Sequence, residues 1–144
     1  MPTINPYINF PGNTEEAFLF YQTIFGGEFP GGIRRYKDMP GADHLSPEEK
    51  EKVMHMSLPI GKENFLMGTD SLESLGQTYQ AGNNHFLSLA VETREETKRI
   101  FTGLSEGGTI VMPLQLTHWG AYFGMCNDKF GVQWMVNCEN ASLE

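Results

Sequence analysis

The chain has 144 residues, 40% of them apolar, with 16 glycines, 8 prolines and a formal charge of −8 at pH 7. That size suits one turn-rich globular domain burying roughly two thirds of its surface. The acidic balance and the scattered basic residues argue against nucleic acid as a partner, because phosphate neutralisation needs clustered Lys and Arg.

No apolar run approaches the roughly 20 residues of a membrane span. The start, Met1-Pro2-Thr3-Ile4-Asn5, has neither the basic residues nor the apolar stretch of a signal peptide. The expectation is a cytoplasmic protein with no membrane partner. Cys126 and Cys138, in late apolar segments, then read as reduced core residues.

Residues 4–10 alternate, with Ile4, Ile8 and Phe10 on one face and Asn5, Tyr7 and Asn9 on the other, which predicts a strand. Asn13 with Glu16 forms a capping box ahead of a helix over about 14–25, which stops at Gly26-Gly27. A short strand is expected over 33–37. There Arg34, Arg35 and Lys37 make the only tight basic group, read as a solvated strand edge. Ser46-Pro47-Glu48-Glu49 is a helix start inside a long loop. Strands follow over 53–60 and 65–69, and then a connection poor in large aliphatics over 71–84.

The order then repeats. A strand over 85–92 precedes a second capping box, Thr93 with Glu96, and a helix over 94–105 that closes on Gly107-Gly108. Strands near 109–115, 121–127 and 132–138 complete it, and the polar tail from Glu139 is expected to fray. One period of this length, occurring twice, describes a duplicated βαβββ module: module one about 1–70, module two about 85–138. Aligning the halves matches Ile8 and Phe10 with Leu89 and Val91 as residues packed beneath the helices. Asn5, Tyr7 and Asn9, and Phe86, Ser88 and Ala90, then look out of the opposite faces.

This order and wording resemble the vicinal oxygen chelate superfamily (glyoxalase, bleomycin-resistance and dioxygenase proteins). Within it the match is to the PhnB-like branch, also described as 3-demethylubiquinone 3-methyltransferase-like. The resemblance rests on Asn5-Pro6-Tyr7-Ile8-Asn9-Phe10, Gly12-Asn13, Glu16-Ala17, Phe20-Tyr21 and Gly26-Gly27. It continues through His55-Met56, Met67-Gly68-Thr69-Asp70, Trp119, Phe123-Gly124 and the run from Asp128 to Asn137. It implies an α+β fold, two tandem βαβββ modules forming a cupped, incomplete barrel with helices outside, commonly a homodimer. In the better-known members the cup holds a divalent metal ligated by His, Gln or Glu, which polarises substrate oxygens.

Carried onto this chain, the ligand places fall near Asn5 or Tyr7, on Met67, on Phe86 and on Met135, where a glutamate would be expected. Thioether and phenyl groups suit neither a hard cation nor zinc, so no metal or other cofactor is expected. No nucleophile elbow, phosphate-cradling glycine loop or S-adenosylmethionine fingerprint occurs, and the catalytic residues stay unassigned. The four histidines are His44, His55, His85 and His118. His44 reads as a solvated loop residue and His85 as the start of a strand. His55 shares a face with Val53 and Ser57, opposite Met54, Met56 and Leu58.

The expected lining of the cup is Asn5, Tyr7, Asn9, His55, Ser57, Met67, Phe86, Ser88, His118, Trp119, Gln133 and Met135. Neutral hydrogen-bonding groups among apolar walls suit a small planar or amphipathic organic ligand, taken without a metal. Two alternatives stand beside this. One is a metal-dependent lyase, isomerase or dioxygenase with an ion on His55 and His118. The other is a dimeric interaction domain whose cup is plugged by its own side chains.

Overall fold

The computed structural model describes residues 1–139; the tail expected to fray lies beyond them, apart from Glu139. The chain divides into two compact units, Met1–Gln80 and the residues from Ala81 onward.

In the first unit, β1 (Tyr7–Phe10) leads into α1 (Thr14–Phe25), followed by β2 (Arg34–Arg35), the short α2 (Pro47–Lys50), β3 (Val53–Ile60) and β4 (Asn64–Asp70). Its sheet runs β1-β4-β3-β2, with β1 and β4 parallel and the other pairs antiparallel. In the second unit, β5 (Leu87–Ala90), α3 (Arg94–Ser105), β6 (Thr109–Leu116), β7 (Tyr122–Asn127) and β8 (Gln133–Cys138) give the same sheet, β5-β8-β7-β6, again with parallel β5 and β8. The duplicated βαβββ order is therefore present strand for strand, as two open four-stranded sheets.

Both long helices begin and end where capping residue, glycine and period place them. Three expected strands are shorter. The segment 33–37 pairs only over Arg34–Arg35, because Tyr36–Asp38 turns into a 3-10 helix that brings Asp38 Oδ2 back to Arg35 N. Ile4 lies outside β1 and is 85% exposed. Leu87–Ala90 alone survives of 85–92.

The larger correction concerns the start of α1. Asn13 makes no side-chain cap, and its Oδ1 is buried without a partner. Buried Asp70, at the end of β4, accepts from Thr14 N at 3.0 Å and Thr14 Oγ1 at 2.6 Å through Oδ1, and from Val53 N at 2.8 Å through Oδ2. One carboxylate thus ties the helix start to two strands. In the second unit Thr93 does cap, its hydroxyl accepting from Glu96 N at 3.1 Å.

Burial explains the alternation of the strands. In the first unit Phe10, Met56, Leu58 and Leu66 pack beneath Ala17, Phe18, Tyr21 and Ile24 of α1. In the second, Cys126, Trp134, Val136 and Cys138 are buried with Ile100, Phe101 and Leu104 of α3. Both cysteines are free thiols. Asp128 fixes the β7–β8 turn, accepting from Phe130 N and Val132 N through Oδ1 and from Trp134 Nε1 through Oδ2.

Candidate functional site

Each sheet has one face under the helix of its own unit and one face that this helix leaves free. On the first sheet, Tyr7, Met67 and Ser57 stand side by side across β1, β4 and β3. Asn9 and Thr69 are paired in the next row. The period of two along β3 puts His55 on the same face as Ser57. Tyr7, Asn9, His55, Ser57 and Met67 are therefore brought together as the sequence implies.

Asn5 is placed differently. Its Oδ1 accepts from Phe65 N at 2.8 Å, so this side chain secures the entry to β4 and is already engaged.

Two residues of this face, Arg34 and Thr69, are not among those named from the sequence. Arg34 pairs with His55 across the β2–β3 ladder, and paired residues on neighbouring strands share a face. Thr69 is a buried hydroxyl beside the Tyr36 phenol, 3.4 Å away, while that phenol donates to Asp70 O at 2.7 Å. The register shifts between Arg34 and Arg35, so a period of two cannot be carried across this pair, and only the ladder places Arg34 beside His55. Arg35 Nη2 meets Glu15 Oε1 of α1 at 3.0 Å.

At the centre, the Tyr7 hydroxyl lies 3.3 Å from His55 Nδ1, with ring centroids 5.7 Å apart. Burial, then the neighbouring Tyr36, raises the Tyr7 phenol above its usual range, against a smaller opposing effect of the Thr69 hydrogen bond. Burial, and then the charge of Arg34, pushes the His55 imidazole below its ordinary 6.5. Both rings are then neutral near pH 7. One hydrogen bond joins the phenol and Nδ1, and in either imidazole tautomer the pair keeps one further donor, Nε2–H or the phenol O–H. The face carries donors and neutral acceptors.

The pH dependence follows with a definite sign. The unfolded chain binds the His55 proton more readily than the folded one. The stability associated with neutral His55 is thus fully present above the ordinary 6.5 and is lost as pH falls through the lower folded value. An NMR titration of the imidazole should give a midpoint below 6.5. The thermal midpoint should fall more between about pH 7 and about pH 5 than it does in His55→Gln.

On the second sheet, Ser88, Met135, Met125 and Met112 form one row and Ala90, Asn137, Phe123 and Gln115 the next. Ser88 and Met135 fall where expected, whereas Phe123, Met125 and Asn137 add a lining the sequence reading did not name. Phe86 precedes β5 and is half-buried. Gln133 is engaged, its Nε2 donating to His85 O. His118 and Trp119 sit in the β6–β7 connection, off the sheet, with their rings edge to face at 4.8 Å and Trp119 65% exposed.

The cation common in glyoxalase-like folds does not fit these side chains. The first face offers one imidazole among hydroxyls, an amide and a thioether. The second offers an alcohol, amides, thioethers and a phenyl ring. Among the described residues no three His, Cys, Asp or Glu side chains are grouped to hold a metal ion.

A repeated four-stranded sheet with parallel outer strands, one helix per sheet, is the fold of the glyoxalase/bleomycin resistance/dioxygenase proteins. An enzyme of that family from Burkholderia phytofirmans PsJN is similar in fold at 19% identity, with 94% of each chain covered and a TM-score of 0.61. Within that class, the chain belongs to the family described as 3-demethylubiquinone-9 3-methyltransferase, whose sequence profile matches residues 2–137.

The chain is 38% identical to protein PA1353 from Pseudomonas aeruginosa, covering 96% of this chain and 98% of that one, with a TM-score of 0.83. It is 32% identical to protein YjdN from Escherichia coli K12 over 93% of both. To the putative 3-demethylubiquinone-9 3-methyltransferase, PhnB protein, from Bacillus cereus it is 29% identical, over 95% and 99%, with a TM-score of 0.75.

Proposed function

We propose that this protein binds a small organic molecule against the helix-free faces of its sheets, without a glyoxalase-type metal centre. The observation that carries the reading is the first face. A neutral phenol–imidazole pair, Tyr7 and His55, is set among Asn9, Ser57, Thr69 and the Met67 thioether, with no clustered metal ligands among the described residues. Directional hydrogen-bonding groups beside apolar surface are what orients and holds an organic ligand.

Native mass spectrometry with elemental analysis of protein purified without a metal-affinity tag tests it. The expected result is a retained or saturably bound organic molecule and no stoichiometric ion. A stoichiometric zinc, nickel or iron lost to chelator would overturn the reading in favour of a metal-dependent lyase, isomerase or dioxygenase.

A second reading, a homodimeric interaction domain, draws support from β6. This edge strand exposes Ile110 and Val111, each by 51%, and Leu116 by 58%. A contiguous apolar edge of this kind invites a partner strand or face, and a second copy of the chain would supply one. Sedimentation at micromolar concentration should then give twice 16.2 kDa, with the monomer restored by Val111→Glu. A 16.2 kDa species alone removes this reading. Cytoplasmic residence is part of the proposal.

A further inference from the structure

The basic group at residues 34–37 divides in the fold. Arg35 meets Glu15 at 3.0 Å and Lys37 meets Glu51 at 3.1 Å. Arg34 has no carboxylate partner among the described residues, in a chain with 18 acidic side chains against 10 basic ones. It is paired in register with His55 on the face that holds Tyr7, Asn9, Ser57 and Thr69.

Neither aspartate near this ladder competes for it. Asp70 accepts from Thr14 and Val53, and Asp38 accepts from Arg35 N. Among the described residues the face therefore holds one permanent positive charge, a phenol–imidazole pair with one donor to spare, and no negative charge.

We infer that Arg34, with the Tyr7–His55 pair, forms an oxyanion-recognition element, so that the molecule bound here is an organic anion whose carboxylate or phosphonate group lies against the guanidinium. The inference rests on the ligand-binding reading above and names its ligand class. A guanidinium presents parallel N–H donors that match either oxyanion bidentately. The Tyr7–His55 pair supplies a further donor, Nε2–H or the phenol O–H according to tautomer, and the exposed part of the Tyr7 ring an aromatic contact. Aromatic acids satisfy both requirements.

Benzoate, phenylphosphonate and neutral benzamide are suitable probes, titrated into the intact protein while the His55 and Tyr7 ring resonances are followed by NMR. Benzoate or phenylphosphonate should shift the His55 signals saturably and bind at least about ten-fold more tightly than benzamide, the scale of one charge-assisted pair. Whichever anion binds more tightly identifies the headgroup. In Arg34→Gln that preference should vanish, and Arg34→Lys should restore part of it. Arg34 is exposed, so neither substitution threatens the fold.

Equal affinity for benzoate, phenylphosphonate and benzamide would overturn the anion inference while leaving the ligand-binding proposal standing. An unchanged preference in Arg34→Gln would overturn it too, as would neither anion moving the His55 signals. A stoichiometric metal in the native protein would instead remove the parent reading.

Discussion

Asp70→Ala should cost about 3–5 kcal/mol, a large part of the roughly 5–15 kcal/mol that holds a domain of this size together. The carboxylate is 2% exposed and accepts three hydrogen bonds, from Thr14 N, Thr14 Oγ1 and Val53 N. Its loss leaves two backbone donors and a hydroxyl buried. Each such orphan costs about 1–3 kcal/mol, and one cavity of this size cannot restore all of them with a single water. Asp70→Asn keeps one acceptor oxygen but turns an amide N–H₂ toward a donor, so it should lose about half as much. Urea denaturation reads both values, with exposed Asp43→Ala as the control. A shift in Asp70→Ala no larger than in the control would dismiss the carboxylate as the tie between α1, β3 and β4.

The second large effect comes from packing. A Cβ at Gly68 would stand 2.6 Å from Phe18 Cε1 and 3.1 Å from Thr14 Cγ2; at Gly124 it would stand 2.7 Å from Phe101 Cε1. Phe18 is fully buried and held edge to face against both Phe10 and Tyr21, at centroid separations of 6.2 and 5.8 Å, so its ring has nowhere to go. Gly68→Ala and Gly124→Ala should each destabilise by about 2–3 kcal/mol through overpacking. A double-mutant cycle supplies the check. Phe18→Leu shortens the ring and should recover part of the Gly68→Ala loss, whereas strict additivity would mean the methyl never met the ring.

These two positions explain why the family is so legible in the sequence. Gly68 and Asp70 belong to the Met67-Gly68-Thr69-Asp70 run, and Asp128 and Trp134 to the later one. The structure employs them to dock helices on sheets and to fix a turn. The most recognisable residues record how the chain folds more than what it binds. Helix limits and strand order could be read because caps, glycines and the periods of 3.6 and 2 are local signals.

The cap of α1 could not be read, because the group that replaces Asn13 lies 56 residues beyond Thr14. Extending the β5–β8 register by one residue from Ala90 and Asn137 puts Cys138 where the first unit has Asp70. A thiol cannot take over a helix start, so Thr93 caps its own helix. The same limit applies to the binding face. Tyr7, His55 and Ser57 follow from alternation and Met67 from the place the family resemblance gives it, but Arg34 and Thr69 needed the ladder pairing to place them. Asn5 and Gln133 look available in the sequence, and only the fold shows them engaged with Phe65 N and His85 O.

The order of the strands bears on how the protein is made. In each half the earliest strand to be made pairs within its sheet with the last, β4 for β1 and β8 for β5. β1 must therefore wait for its partner until synthesis passes residue 70, and that long-range closure makes for slow assembly. Once Asp70 has emerged, the amino-terminal half has every strand it needs and can complete its sheet while the remainder is still being translated.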